Sequence, residues 1–503
     1  MPNLFAYFAL LAWPIVALVL FRALPLQKAL VWTVMGGYLL LPSATHMKIP
    51  LIPAFDRVSI VSLSALVLCL IYAPKSKDQL PAGRGFGRAV IITLLATAVF
   101  VPALTVSFNT EPLFFGRRYI PGLTVKDAGS LIIQSGLTLV PFWLGLRYLN
   151  NHEGHLALLQ AFVISGVFYT FPALLEIRMS PQLHVWIYGF FQHDFIQHVR
   201  LGGFRPVVFL RHGLLLGIFL CAATLSALTL YKEARRTGAT AFGWFFAALW
   251  LLLVLFLSKN LGALAIGIVL SFFILFTGRR LQMVFAVAVA GVVLLYPLVR
   301  GAGWFPVDTI LEQVEAIDSD RASSLRFRFV NEEALLERAN EKPLFGWGSW
   351  GRNQIFDPVT GDMQSVTDGA WVIYIGTDGW IGYLALFGLL TLPIVFYALY
   401  RRSLGMSFAT QGLVLVLCSA LIDLIPNSGL VTYVWLMSGG IAGYVLWKPA
   451  ATEHSLDKTT PGPVTEGLVL APATQPAPAS WLMRPASESS TRRARRNDQS
   501  GQT

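Results

Sequence analysis

Arg200, Arg205, Arg211, Lys259, Arg326 and Arg328 are basic residues that sit between long apolar runs, in a chain where only 13% of residues are charged. A guanidinium is permanently charged and presents a planar fork of N–H donors that matches phosphate oxygens two at a time; a lysine adds a compact point charge. Such a set suits a reaction in which negative charge grows on a departing phosphate. The alternative for any one of them is that a long basic side chain at the end of a membrane span reaches out to lipid head groups. Asp368 is a carboxylate just ahead of an apolar run. It can accept a proton from a hydroxyl nucleophile, although its ordinary pKa of about 3.9 makes it a weak base. Burial beside Trp371 would raise that basicity and a neighbouring arginine would lower it, and the sequence does not decide between them. Its other reading is a helix N-cap.

Other clusters carry weaker signals. Asp318-Ser319-Asp320 has the spacing with which two carboxylates share a hard cation, but Glu312 and Glu315 beside it read as an ordinary acidic loop. His184, His193, Asp194 and His198 do not fall on one helical face; an amphipathic interfacial helix over about 183–199 is the better reading, and no metal site is expected. Asp423 is the clearest ionisable residue inside an apolar run, a functional candidate by default; Pro426 and Asn427 follow it, which places it near a span end in a structural role. Cys69, Cys221 and Cys418 all lie in apolar runs and form no disulfide or metal pattern.

The elements that must position these residues are membrane helices. Of 503 residues, 55% are hydrophobic, and the mean hydropathy is +0.62, which excludes a soluble globular protein for most of the length. Apolar runs of about 20 residues suffice to cross a bilayer. They occur near 4–21, 29–45, 58–73, 89–107, 129–147, 156–174, 208–230, 241–257, 261–277, 281–299, 379–400, 408–425 and 430–447. The fold class is therefore an all-α polytopic membrane protein with about 13 transmembrane helices (12–14) and one long, partly helical outer loop. The net charge of +11 fits the excess of Lys and Arg in cytoplasmic loops rather than nucleic-acid binding. Arg22 with Lys28; Lys75, Lys77, Arg84 and Arg88; Lys232, Arg235 and Arg236; Arg279–Arg280; and Arg401–Arg402 all fall on one face, assigned to the cytoplasm. The N-terminus, read as a first span rather than a cleaved signal, then starts outside. The outer face receives about 108–128, about 175–207, Ser258–Asn260 and about 300–378. Residues 451–503 are rich in Pro, Ser, Thr and Ala and end in Arg492-Arg493-Ala494-Arg495-Arg496, the composition of a disordered cytoplasmic tail that follows a membrane domain over 1–450.

The outer segments contain ordered motifs. Ser324 to Ala339 suits a short amphipathic helix, with Phe329, Ala334, Leu335 and Ala339 on its apolar positions. Pro343-Leu-Phe-Gly346-Trp-Gly348 ends that helix in a tight turn with exposed backbone N–H groups. Asp368 to Gly382 leads into the next span. Here the chain resembles the O-antigen ligase/polymerase family of bacterial integral-membrane glycosyltransferases. Positions 328–348 are similar to that family's Arg, amphipathic helix and Pro-Leu-hydrophobic-Gly-x-Gly sequence. Trp371, Ile375, Gly379 and Gly382 keep the spacing of its later motif, and Arg200 to Gly203 and Ser258 to Ala263 resemble two upstream stretches. The chain departs where Asp368 replaces the usual His, Gly369 the following Asn, and Lys259 the usual Arg.

The resemblance implies an inverting, metal-independent glycosyltransferase without cofactors, in the bacterial inner membrane, with its catalytic loops periplasmic. Its donor is an undecaprenyl-diphosphate-linked glycan, and its acceptor is another glycan or a lipid core, in O-antigen or exopolysaccharide synthesis. Other polysaccharide-assembly proteins are expected partners; nucleic acid is not. Asp368 and Arg328 take the catalytic positions; Arg200, Arg205, Arg211, Lys259 and Arg326 the diphosphate-binding ones; Pro343, Gly346, Gly348, Gly379 and Gly382 shape the loop. Polymerase and ligase share these motifs. The competing classes are a transporter or flippase and a non-catalytic scaffold of an export system. Inverted repeats and midplane charges would mark the transporter.

Overall fold

The computed structural model describes residues 1–49, 52–74, 84–200, 202–316, 318–349, 351–404 and 407–447. Lys75, Lys77, Trp350, the Asp320 side chain and the expected tail from 451 lie outside the described residues. The described residues belong to one compact unit and are almost entirely helical. The helices are α1 (Leu4–Ala23), α2 (Leu26–Leu40), α3 (Arg57–Tyr72), α4 (Gly85–Ser107), α5 (Val125–Tyr148), α6 (His152–Met179), α7 (Leu183–Tyr188) and α8 (Gly213–Thr237). They continue with α9 (Phe242–Leu257), α10 (Leu261–Phe276), α11 (Arg279–Gly301), α12 (Val307–Glu315), α13 (Ser319–Asn340), α14 (Ala370–Leu404), α15 (Phe408–Asp423) and α16 (Thr432–Leu446). Three two-stranded antiparallel ribbons sit in the connections: β1 (Met47–Ile49) with β2 (Ile52–Phe55), β3 (Leu113–Phe115) with β4 (Arg118–Ile120), and β5 (Val199–Arg200) with β6 (Gly203–Phe204).

A helix overlaps each of the thirteen apolar segments read from the sequence, although α2 stops at Leu40 short of 45 and α8 starts at Gly213 rather than 208. Seven, α1, α4, α5, α6, α8, α11 and α14, are long and apolar enough to cross a membrane. Another five, α3, α9, α10, α15 and α16, are shorter apolar helices. Their starts are fixed by side chains that take up otherwise unpaired N–H groups. Asn3 caps α1, Asp56 and Ser59 form a capping box on α3, Asn151 caps α6 and Ser407 caps α15. α8, α15 and α16 are buried on nearly all sides and form the centre. The peripheral helices turn large apolar side chains outward, among them Phe8, Leu11 and Ile15 on α1 and Phe246, Leu249 and Leu253 on α9, as lipid-facing surfaces do.

α5 and α16 pack with their backbones in contact. A Cβ added at Gly439 would sit 1.9 Å from the Phe142 carbonyl oxygen, at Gly443 2.2 Å from that of Leu146, and at Gly145 2.3 Å from that of Leu436. Glycines one turn apart let two backbones touch, which supplies the dispersion contact that drives helix pairing where the hydrophobic effect does not.

Two expectations are corrected. The helix expected over 183–199 stops after Tyr188, because Gly189 adopts φ +85° and closes the turn by donating its N–H to the Val185 carbonyl oxygen. A single tight turn, Ile196–His198, follows farther on. The long loop ends earlier than 378: α14 begins at Ala370 and runs through a break at Gly379, where φ is +69° and ψ −175°. The expected amphipathic segment is the 22-residue α13; it buries Phe329, Leu335 and Ala339, with Ala334 at its margin.

Candidate functional site: a cation-lined chamber

The connections at one end of the bundle enclose a chamber of about 1900 Å³. Arg200, Arg205, Arg211, Lys259, Arg328 and Asp368 all line it, although they come from segments up to 168 residues apart. Arg326 does not: its side chain is 61% exposed and faces Glu315 at 3.6 Å. It lies two residues from Arg328 on α13, and residues so spaced point to different sides of a helix.

The loop between α6 and α8 carries three of the cations, and buried polar contacts hold it in place. Glu176, at the end of α6 and 1% exposed, accepts the backbone N–H groups of Leu183, Val207 and Val208 at 3.0, 2.8 and 2.7 Å. Gln192 donates to the Val208 and Leu210 carbonyls. Arg200 then lies at the tip of the β5–β6 ribbon, and Arg205 ties back through its N–H to the His198 carbonyl. Lys259 comes from the α9–α10 turn at φ +58°, an uncommon conformation for a side-chain-bearing residue and one that recurs at functional sites. Its ammonium donates to the Arg200 carbonyl at 3.0 Å.

Two glycines make room for these cations. A Cβ at Gly203 would stand 2.4 Å from the Lys259 nitrogen, and one at Gly213 2.6 Å from the Arg205 side chain. The Arg205 Nε is buried with no hydrogen-bond partner among the described residues. Burial, reinforced by the charges of Arg200 and Arg328, pushes the Arg205 pKa down to about 10.

Across the chamber, Arg328 on α13 meets Asp368, with Nε 3.4 Å from the carboxylate and both side chains about one-third exposed. Arg328 also donates to the Pro426 carbonyl at 3.3 Å. Asp368 stands one residue ahead of the cap position of α14: Gly369 precedes the first helical residue, Ala370, and its carbonyl accepts the Ile373 N–H. The Asp368 carboxylate faces the arginine and the chamber. Asp318 and Asp423 also line the chamber; Asp423 accepts a bond from Asn427 at 2.8 Å and is 7% exposed.

Pro343, Gly346, Gly348, Gly379 and Gly382 lie apart from the chamber lining and form a joint. The turn at 343–348 lies against the break in α14. Trp380 donates its N–H to the Pro343 carbonyl at 2.8 Å, Trp347 to Gly376 at 2.8 Å and Gly348 to Thr377 at 2.9 Å. A Cβ at Gly379 would lie 2.3 Å from the Leu344 carbonyl oxygen, and one at Gly346 2.6 Å from the Gly379 nitrogen. Gly382 makes room for Asp378.

Several residues in and around the site escaped the sequence reading. Arg57 lines the chamber from the start of α3 and donates to the Tyr38 carbonyl; its connection, 41–56, was not among the outer segments. Arg352 is fully buried and donates to the carbonyls of Trp347, Pro121 and Glu111, welding the joint to the β3–β4 ribbon. Glu332, one turn beyond Arg328, is 6% exposed, with one carboxylate oxygen lacking a partner among the described residues. Burial raises its pKa to about 7 against the opposing pull of Arg300 and Arg328. A cation and a carboxylate one turn apart on a helix were the available signal for Glu332.

Histidine also gathers here. His193, His198 and His212 each bring a ring nitrogen within 4.8 Å of the others. His212 caps α8 by accepting the Leu214 N–H on Nδ1 at 3.1 Å. Burial first, then the neighbouring histidines and arginines, pushes the pKa of His198 down to about 4 and that of His212 to about 3, so both are neutral at physiological pH. Among the described residues this is the only trio of metal-ligating side chains that converges.

No protein-family model matches the chain, and no curated protein matches it.

Proposed function

We propose that the protein is a membrane glycosyltransferase of the O-antigen ligase/polymerase type, which transfers or polymerises undecaprenyl-diphosphate-linked glycan at the chamber. The observation that carries this reading is the convergence of Arg200, Arg205, Arg211, Lys259 and Arg328 on one chamber around Asp368. Packing like charges together costs free energy that an anion with several charged oxygens returns.

In this reading all thirteen apolar helices span the inner membrane, the N-terminus and the chamber face the periplasm, and the tail is cytoplasmic. The donor diphosphate sits among the cations. Asp368 takes the proton from the acceptor hydroxyl as the new glycosidic bond forms; the bond between the sugar and the diphosphate breaks, and the leaving charge passes to the arginines. Inversion at the sugar carbon follows from a single displacement. Arg328 touches the base and borders the diphosphate site, so it orients one and neutralises the other. A transporter would use the ends of its broken helix to hold substrate; in α14 the Pro343–Gly348 turn occupies them.

The test is complementation in cells lacking the protein, with Arg205→Ala, Arg328→Ala, Asp368→Ala and Asp368→His at matched membrane levels. The readout is the length distribution of surface glycan. Loss of long chains in the three Ala variants, with partial activity in Asp368→His, is the expected result. Normal glycan from all three removes this reading and leaves transport or scaffolding.

A further inference from the structure

We propose that His193, His198 and His212 form a binding site for a divalent transition-metal ion of the zinc class, at the edge of the chamber. Three lines of geometry support it. The three ligand nitrogens lie within 4.8 Å of one another; zinc–nitrogen bonds of about 2.0–2.1 Å require a triangle with sides of roughly 3.3 Å, so modest ring movements close it. His198 is fully buried, yet neither of its ring nitrogens has a partner among the described residues, and a buried imidazole left unbonded on both sides is costly. The rings also cluster tightly: the His212 centroid lies 4.7 Å from that of His193 and 4.8 Å from that of His198. Ordinary packing satisfies none of the His198 nitrogens, whereas a metal uses one of them as a ligand.

The donor set selects the ion. Imidazole nitrogens suit zinc, copper, nickel and iron rather than magnesium or calcium. Three histidines with a position left over is the arrangement of open zinc sites, closed by water or by a substrate oxygen. His193 and His212 both line the chamber, so that position is available to a ligand inside it. Arg200 and Arg205 nearby disfavour a bare cation, and Asp194 beside His198 partly offsets them; an anionic fourth ligand completes the balance. His212 already accepts the Leu214 N–H on Nδ1. A metal bound through that nitrogen would displace the cap. One capping bond is small beside three metal–nitrogen bonds.

The test reads metal, not glycan, so it stands or falls separately from the proposed transfer activity. Full-length protein without a polyhistidine tag is purified in detergent, stripped with chelator, equilibrated with Zn²⁺, desalted and assayed for bound metal. Wild type is expected to retain about one zinc per chain. His193→Gln, His198→Gln and His212→Gln should each weaken binding at least about tenfold, while His152→Gln, remote from the cluster, keeps it. His193 is exposed, so its variant should fold even where the His198 variant does not. Co²⁺ added to stripped wild type supplies a readout free of mutation: intense visible absorption marks a four-coordinate nitrogen site. No zinc retained by wild type, the weak spectrum of hexa-aquo cobalt, or unchanged binding in His193→Gln overturns the proposal.

Discussion

The chamber and the joint behind it come from the same kinds of residue, and they end in opposite states. Both are irregular backbone between apolar helices, and both depend on glycines that admit a close neighbour. In the joint the backbone groups are paired: the turn at 343–348 supplies donors and acceptors to the break at Gly379, which is how interrupted helices are tolerated among membrane spans. In the chamber the polar groups are left over. The Nε of Arg205 and, at the chamber's edge, both nitrogens of His198 lack partners among the described residues, and cations crowd one another. Satisfied polar networks hold a fold in place, whereas frustrated ones mark where the fold is held against its own preference. The joint is scaffold, and in the proposed function the chamber is where a ligand brings relief.

That contrast breaks first at the joint. Gly379→Val combines a left-handed φ with a Cβ 2.3 Å from the Leu344 carbonyl oxygen. It should cost more than about 3 kcal/mol and abolish accumulation in the membrane, read as yield and as melting temperature in detergent. The chamber should respond in the opposite way. Arg205→Met keeps the stem that packs on Gly213 and removes a charge repelled by Arg200 and Arg328. Its melting temperature should match or exceed the wild type, while glycan transfer falls at least about tenfold, the trade-off expected where a site is held under strain. A large loss of melting temperature in Arg205→Met would mean that the cation holds the loop together, and the division between scaffold and site would be wrong.

Much of this division was legible in the sequence, for physical reasons. Apolar runs report helices because burial in lipid demands length and composition, and a helix stands on each of them. Arginines and a lysine stood out because, in connections expected on the outer face, they run against the ordinary charge asymmetry. What escaped was set by backbone geometry. Gly189 stops a helix that the apolar pattern would continue. Gly379 breaks one without changing its hydropathy, so α14 was read as starting nine residues late. His212 escaped the sequence reading, because its partners His193 and His198 lie 14 or more residues away across a chain reversal. Arg352 and Glu176 are invisible to periodicity, since their partners are backbone groups of distant loops.

Between scaffold and chamber stands Glu332, and it sharpens the boundary through pH. Its folded-state pKa is raised to about 7, above the ordinary carboxyl value near 4.3. The folded protein therefore holds this proton more tightly than the unfolded chain. The stabilisation is complete below about pH 4 and is lost as pH rises through 7. The effect is on the order of 3 kcal/mol, reduced where Arg300 moves closer to the ionised group. Melting temperature measured from pH 4.5 to 8 should fall more steeply in the wild type than in Glu332→Gln, and the difference between the two curves isolates this residue. Parallel curves would show that Arg300 and Arg328 already keep Glu332 ionised.

The smallest effect belongs to Arg326, two residues from the arginine that meets Asp368. The sequence gives both the same claim on a phosphate. The helix separates them: Arg328 reaches the chamber, while Arg326 is 61% exposed and faces Glu315 at 3.6 Å. An exposed pair of that kind is worth about 0–1 kcal/mol and is screened by salt. Arg326→Ala should shift the melting temperature by no more than about 2 °C and leave glycan length unchanged. A transfer defect as deep as that of Arg328→Ala would place a second cation on the substrate from outside the chamber. The ligand would then extend over the exposed face of α13, and the chamber wall would have to be redrawn to include it.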